Sequence, residues 1–150
     1  MKRTAIYAAC ALALALLGGC GAKAPGATET PKETPNVQTV TFINGVTDAD
    51  VWILPETEQN RKTTVWGTAT AAKVKTGERR EAPLCAPGDE GCYMLRMIDT
   101  DHFYYSAGGI TLEAGWTMEI KGDSLQSLTL EVKDETGALN AAYEVFAARL

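Results

Sequence analysis

From Val37 onward, the apolar residues of this 150-residue chain recur at every second position in short runs, and no convincing stretch repeats every 3.6 residues. A period of two gives a strand one buried face, whereas a helix needs its apolar residues three and four apart. Tyr93, Leu95 and Met97 face one way, and Met94, Arg96 and Ile98 the other. Val37, Thr39, Thr41 and Ile43 alternate with Gln38, Val40, Phe42 and Asn44, so that β-branched residues dominate one side. Val51 to Leu54 is a compact apolar run stopped by Pro55, and Thr63 to Val74, rich in Thr, Val and Ala, reads as a further strand. Leu128, Leu130 and Val132 alternate with polar residues, and Leu139, Ala141, Tyr143 and Val145 form the matching inward row. The alanines of this last segment leave a C-terminal helix as the less favoured alternative.

Turn chemistry separates these runs. Asn44-Gly45, the polar stretch Glu56 to Lys62, Lys75-Thr76-Gly77-Glu78, Gly108-Gly109, Ala114-Gly115 and Asp134-Glu135-Thr136-Gly137 all break the pattern. Asp99-Thr100-Asp101 turns the chain into Phe103-Tyr104-Tyr105, although this turn lacks the glycine that a tight hairpin usually has. Ile110 to Leu112 and Trp116 to Ile120 flank Ala114-Gly115 as further apolar runs. Many short strands between turns predict an all-β fold, a small antiparallel β-sandwich of Ig-like or related type. It fills residues 37–150 as a single domain.

The N-terminus has a different character. Lys2 and Arg3 precede a stretch from Ala5 to Leu17 that is almost wholly apolar, and no acidic residue appears before Glu29. That stretch is shorter than the roughly 20 residues needed to span a bilayer. It fits the apolar region of a secretory signal. Leu17-Gly18-Gly19-Cys20 closes it and resembles the bacterial lipobox. The resemblance implies a signal peptide over residues 1–19, cleavage between Gly19 and Cys20, diacylglycerol on the Cys20 thiol and acylation of the new N-terminus. Cleavage by ordinary signal peptidase after Ala13 or Ala15 is the competing reading. Two or three acyl chains anchor stably where one does so only marginally. The implied address is a membrane reached through lipid on Cys20. That is the outer membrane in a Gram-negative source, where Gly21 stands in place of a retention aspartate, and otherwise the outer face of the plasma membrane. Residues 20–36, with Pro25, Pro31 and Pro35 among Gly, Ala, Thr, Lys and Glu, read as a flexible tether.

Loss of residues 1–19 removes two of the 14 basic residues and none of the 19 acidic ones, taking the formal charge from −5 to −7. Such a chain lacks the basic footprint of nucleic-acid binding. Of the four cysteines, Cys10 leaves with the signal and Cys20 is taken by lipid. Cys85 and Cys92 remain, around the turn-rich Ala-Pro-Gly-Asp-Glu-Gly segment, and a disulfide between them would add about 2.5 kcal/mol. A redox pair or half a metal site are the rival readings. Redox motifs, however, use two intervening residues, and zinc needs ligands that the chain lacks.

Candidate chemistry is sparse. His102, the single histidine, lies near Asp99 and Asp101, which is compatible with a general base or a metal ligand and equally with an ordinary exposed turn. Ser106, Ser124 and Ser127 sit in no hydrolase motif. Asp48, Asp50, Asp89, Glu90, Asp99 and Asp101 are scattered turn acids and do not form a patterned calcium loop. We therefore expect no metal, no cofactor and no catalytic site. Arg61, Lys62, Lys73, Lys75, Arg79 and Arg80 make one basic stretch in an acidic protein. They form either a patch for an acidic or glycan partner or solvated edge charges. Trp52, Trp66 and Trp116 read as core packing, with sugar stacking as the alternative.

A looser likeness concerns the domain itself. Ile53-Leu54-Pro55 closing a strand, Trp66-Gly67, the Lys75–Glu78 turn and the Tyr93–Asp99 strand resemble the small β-sandwich domains of uncharacterised secreted bacterial lipoproteins, over about Val37 to Ile120. That likeness implies a fold and no activity. The functional expectation is a membrane-anchored, non-enzymatic binding or assembly module whose partner is a protein or another envelope component. Small lipidated β-proteins with one disulfide also resemble periplasmic lysozyme inhibitors, so inhibition of an envelope-directed enzyme is the alternative, although none of their motifs is present. A metal-dependent hydrolase around His102 is the weakest reading.

Overall fold

The computed structural model describes residues 37–150. The signal over 1–19, the Gly19–Cys20 junction and the tether to residue 36 lie outside the described residues.

Among the described residues, ten strands build two five-stranded sheets. They are β1 (Thr39–Asn44), β2 (Ala49–Pro55), β3 (Ala71–Val74), β4 (Arg79–Pro83), β5 (Tyr93–Asp99), β6 (Phe103–Ile110), β7 (Thr117–Lys121), β8 (Thr129–Lys133), β9 (Leu139–Glu144) and β10 (Phe146–Arg149). The first sheet has the order β4-β1-β7-β8-β9, and the second β10-β6-β5-β2-β3. Every pairing is antiparallel except that of β1 with β7. The expected all-β sandwich is thus present.

Period-two patterning decides what lies inside. Val40, Phe42, Met118, Ile120, Leu130 and Val132 of the first sheet meet Val51, Ile53, Leu95, Met97, Tyr105 and Ala107 of the second in one apolar core. In β1 the buried face is therefore Val40, Phe42 and Asn44, while Thr39, Thr41 and Ile43 are half-buried. Asn44 is the polar exception. Its amide donates to the Val74 carbonyl at 2.9 Å and its oxygen accepts from Val46 N at 3.2 Å, so the turn after β1 is fixed from within.

Several expectations need correction. The C-terminal segment is strand and not helix. Its chain passes from the first sheet to the second at the buried Val145, whose N–H donates to the Leu128 carbonyl at 3.1 Å. Ala141 and Tyr143 pair with the inward Val132 and Leu130. A register shift then leaves Leu139 opposite Lys133 and 59% exposed, outside the predicted inward row. Glu56 to Lys62 is not all loop, because Thr57 caps a short helix, α1 (Glu58–Lys62), by accepting from Asn60 N at 3.1 Å. Residues 63–70 are not strand; only Ala71–Val74 pairs. Gly108-Gly109 does not end β6, which runs through them to Ile110.

Outward, the first sheet carries charge. Lys121 and Lys133 alternate with Glu119 and Glu131 in a four-membered ion-pair network with separations of 2.8–3.5 Å. The hydrogen bond from Lys133 holds Glu119 below the usual carboxylate range, and the bond from Lys121 does the same for Glu131. Among the described residues, no helix is long and apolar enough to cross a membrane.

Candidate functional site

The outer face of the second sheet is of another kind. Register places Phe146, Ser106, Arg96 and Trp52 side by side across β10, β6, β5 and β2, on the face opposite the core. The next row carries Ala148, Tyr104, Ile98 and Asp50. Onto these rows the 63–70 loop lays Trp66. Gly67 turns the loop with a φ of 67°, the Trp66 indole N–H donates to the Thr63 carbonyl at 2.9 Å, and the Trp52 indole donates to the Gly67 carbonyl at 3.2 Å. Trp66 stacks on Tyr104 with ring centres 5.6 Å apart and meets Trp52 edge-on at 5.5 Å.

Arg96 sits among these rings. Its guanidinium carbon is 5.3 Å from the Tyr104 ring centre and 5.9 Å from that of Trp66, and Nη1 donates to the Tyr104 hydroxyl. Its Nε is buried with no partner among the described residues. Phe146, at the end of the row, is 62% exposed. Trp52 and Trp66 are therefore not core residues as expected, whereas Trp116 does pack against the core. Arg96 and Tyr104 carry no motif. The one available signal was a charged residue midway along an apolar strand, facing away from Leu95 and Met97.

Beyond Tyr104 and Ile98 the same face ends in a cavity of about 500 Å³ between the start of β2, the end of β3 and the β5–β6 turn. Asp48, Asp50, Lys73, Lys75, Thr100 and His102 stand around it, over Ala49, Ile98 and Asp99. Lys73 (φ 52°) and His102 (φ 63°) both hold the left-handed conformation that favours glycine, at a cost of roughly 1 kcal/mol each. His102 thus supplies the position for which the sequence offered no glycine. Lys73 does so where β2 and β3 shift register, with its N–H donating to Asp50 Oδ1 at 2.7 Å.

The Asp99 carboxylate is not the partner of the His102 imidazole, although the His102 backbone N–H donates to the Asp99 carbonyl at 3.2 Å. Asp99 is buried, and its carboxylate accepts from the Asp101 and Phe103 amides at 2.9 and 2.8 Å and from the Tyr105 hydroxyl at 2.8 Å. Burial, and then this carboxylate, push the Tyr105 phenol well above its ordinary value. The imidazole makes no hydrogen bond among the described residues, so the His102–aspartate pair considered from the sequence is not assembled. No group of three or more His, Cys, Asp or Glu among the described residues is arranged to hold a metal.

The basic residues are divided. Arg61 pairs with Glu56 at 3.1 Å and with Asp89 at 3.6 Å, and Lys62 pairs with Glu58 at 2.5 Å. These lie just past the end of β2, whereas Lys73 is bonded to Asp50 near its start, some 16 Å away at about 3.3 Å per strand residue. Arg80 pairs with Glu78, and Arg79 lies on the edge strand β4. Lys73 and Lys75 line one cavity.

Cys85 and Cys92 are unbonded here, Cys85 exposed and Cys92 half-buried. The loop between them is nonetheless anchored. The Tyr93 hydroxyl donates to the Cys85 carbonyl at 2.7 Å, and the Cys92 carbonyl accepts from Glu56 N at 3.0 Å and Gly88 N at 2.9 Å. Gly88 lies so close to the Glu56 backbone that a Cβ there would overlap it. The Glu56 carboxylate also accepts from Gly109 N, where β5 and β6 shift register around the glycine pair.

Compared with protein families, curated proteins and solved structures, the chain matches none.

Proposed function

We propose that this chain is an exported lipoprotein, cut before Cys20 and held to a membrane by lipid on that cysteine, whose domain is a binding module for an envelope protein or another envelope component. The anchor rests on Leu17-Gly18-Gly19-Cys20 behind a charged and apolar leader. The observation that carries the binding reading is the Phe146–Ser106–Arg96–Trp52 row, with Phe146 62% exposed at its end. Aromatic residues and arginine are the types enriched where proteins hold partners. A photo-reactive residue at position 146 should capture one envelope partner, and Trp52→Ala should weaken that capture. No adduct, or the same adduct from the exposed turn residue Glu135, would count against the site. Cys20→Ser should move the protein from the membrane to the soluble fraction, and unchanged fractionation would remove the anchor.

A second reading, inhibition of an envelope-directed lysozyme or protease, draws on the Cys85–Cys92 loop. An exposed loop fixed at both ends loses little freedom on binding, and a disulfide formed after export would fix it further. An inhibition assay separates the two readings, because a binding module inhibits neither enzyme class.

A further inference from the structure

The cavity at the end of the aromatic face is furnished in a way that the fold does not require. Asp48 Oδ1 accepts from Thr76 N at 2.8 Å and from the Thr76 hydroxyl at 3.1 Å, and Asp50 Oδ1 accepts from Lys73 N at 2.7 Å. Both carboxylates are thereby held in place, and the second oxygen of each has no protein partner among the described residues. The ammonium groups of Lys73 and Lys75, the His102 imidazole and the Thr100 hydroxyl likewise make no hydrogen bond or ion pair among the described residues, and all four residues are exposed and line the same cavity. Two fixed negative groups and two positive ones therefore surround one space with no ion pair between them, although Lys75 lies near enough for its charge to act on Asp48.

That balance selects the ligand. A simple anion would gain from the lysines and lose to the aspartates, and a simple cation the reverse. A molecule bearing both charges gains from both. The third carboxylate, Asp99, does not alter this, because its oxygens are spent on the Asp101 and Phe103 amides and the Tyr105 hydroxyl. Lys73 and His102, two of the three non-glycine residues with positive φ among the described residues, both line this cavity, and strained conformations of this kind cluster where ligands are held.

The geometry points to a binding site for a small zwitterion of the α-amino-acid class, free or as an unblocked dipeptide. Its ammonium group lies against the outer oxygens of Asp48 and Asp50. Its carboxylate is received by Lys73 and Lys75, with His102 and Thr100 as further donors. A volume of about 500 Å³ is in the range of small-molecule sites. The site stands independently of the partner-binding reading of the neighbouring aromatic row.

The test titrates the detergent-solubilised full chain with glycine, L-alanine, L-glutamate, L-lysine and L-alanyl-L-alanine, read by calorimetry and saturation-transfer NMR. At least one is expected to bind. Its N-acetylated and its carboxamide forms, each lacking one charge, should bind at least about tenfold more weakly. Asp50→Asn, which keeps an acceptor for Lys73 N, and Lys75→Gln should each cost a similar factor while leaving thermal unfolding unchanged. Phe146→Ala should leave this binding intact, and Lys75→Gln should leave cross-linking at position 146 intact, so the two sites succeed or fail separately. The inference is overturned if no member of the panel binds at ~10 mM. It is equally overturned if blocked forms bind as well as the zwitterion, or if both variants bind as the parent does.

Discussion

Asp99 closes the β5–β6 hairpin with one carboxylate, accepting from two amides of its own turn and from the Tyr105 hydroxyl. Removing it leaves three donors without their partner, two of them half-buried or deeper. Asp99→Ala should lower the unfolding free energy by roughly 3 kcal/mol and Tyr105→Phe by about 1 kcal/mol, measured by urea titration. The same pair sets an alkaline limit. Tyr105 holds its proton more tightly folded than unfolded, so its contribution is complete below the unfolded phenol value of about 10 and is lost as pH rises above it. Tyr105→Phe should flatten the loss of stability above that pH, and an unchanged alkaline profile would refute the assignment. None of this could be read from the residues alone. Asp99 looked like any turn aspartate, and its separation from His102 depends on a φ of 63° at that histidine, which brings the turn's amides onto the carboxylate.

At the scale of elements, alternation was legible wherever burial on one face decides the strand, as in β8 and in β5 from Leu95 onward, whereas Met94 is buried on the opposite face of β5. It failed where distant contacts decide. Arg79–Pro83 has a single buried residue, Ala82, and becomes a strand only because β1 offers an edge. Residues 63–70 have strand-like composition, yet the gain from placing Trp66 on Tyr104 and Arg96 outweighs a propensity of at most about 1 kcal/mol. The loop from Cys85 to Cys92 also owes its form to another element, the end of β2. Gly88→Ala forces the chain away from Glu56 and should lower stability by roughly 1–3 kcal/mol, with amide exchange rising at Asp89 and Cys92. A neutral effect would mean that this contact is not held in solution.

The two outer faces of the sandwich are unlike each other, one satisfied by its own lysine–glutamate network and the other by rings, an arginine and an unclosed set of charges. The fold class followed from the sequence because a period of two admits little else. The strand order did not, and with it went the candidate site. Trp52, Arg96 and Tyr104 become neighbours only through pairing register, and Lys73 and His102 line one cavity only because β3 and the β5–β6 turn flank the same end of β2.

The position of β1 bears on how the chain folds. It leads the domain, yet its partners are β4 and, in parallel, β7, so Thr39 waits for Pro83 and Thr41 for Thr117. The β5–β6 hairpin closes over a short loop, whereas β2 meets β5, and β1 meets β4, only across 36 to 50 residues, and β1 meets β7 across 76. Loop-closure entropy therefore sets an order, with the β5–β6 hairpin first and the β1–β7 pairing last, after most of the domain has emerged. Leu95→Ala should chiefly slow folding, whereas Val40→Ala should chiefly speed unfolding. A high fractional effect of Val40 on the folding rate would reverse that order. Until β7 arrives, β1 has an open edge, and Thr39 and Thr41 keep the first part of its outer side polar, with Ile43 beyond them.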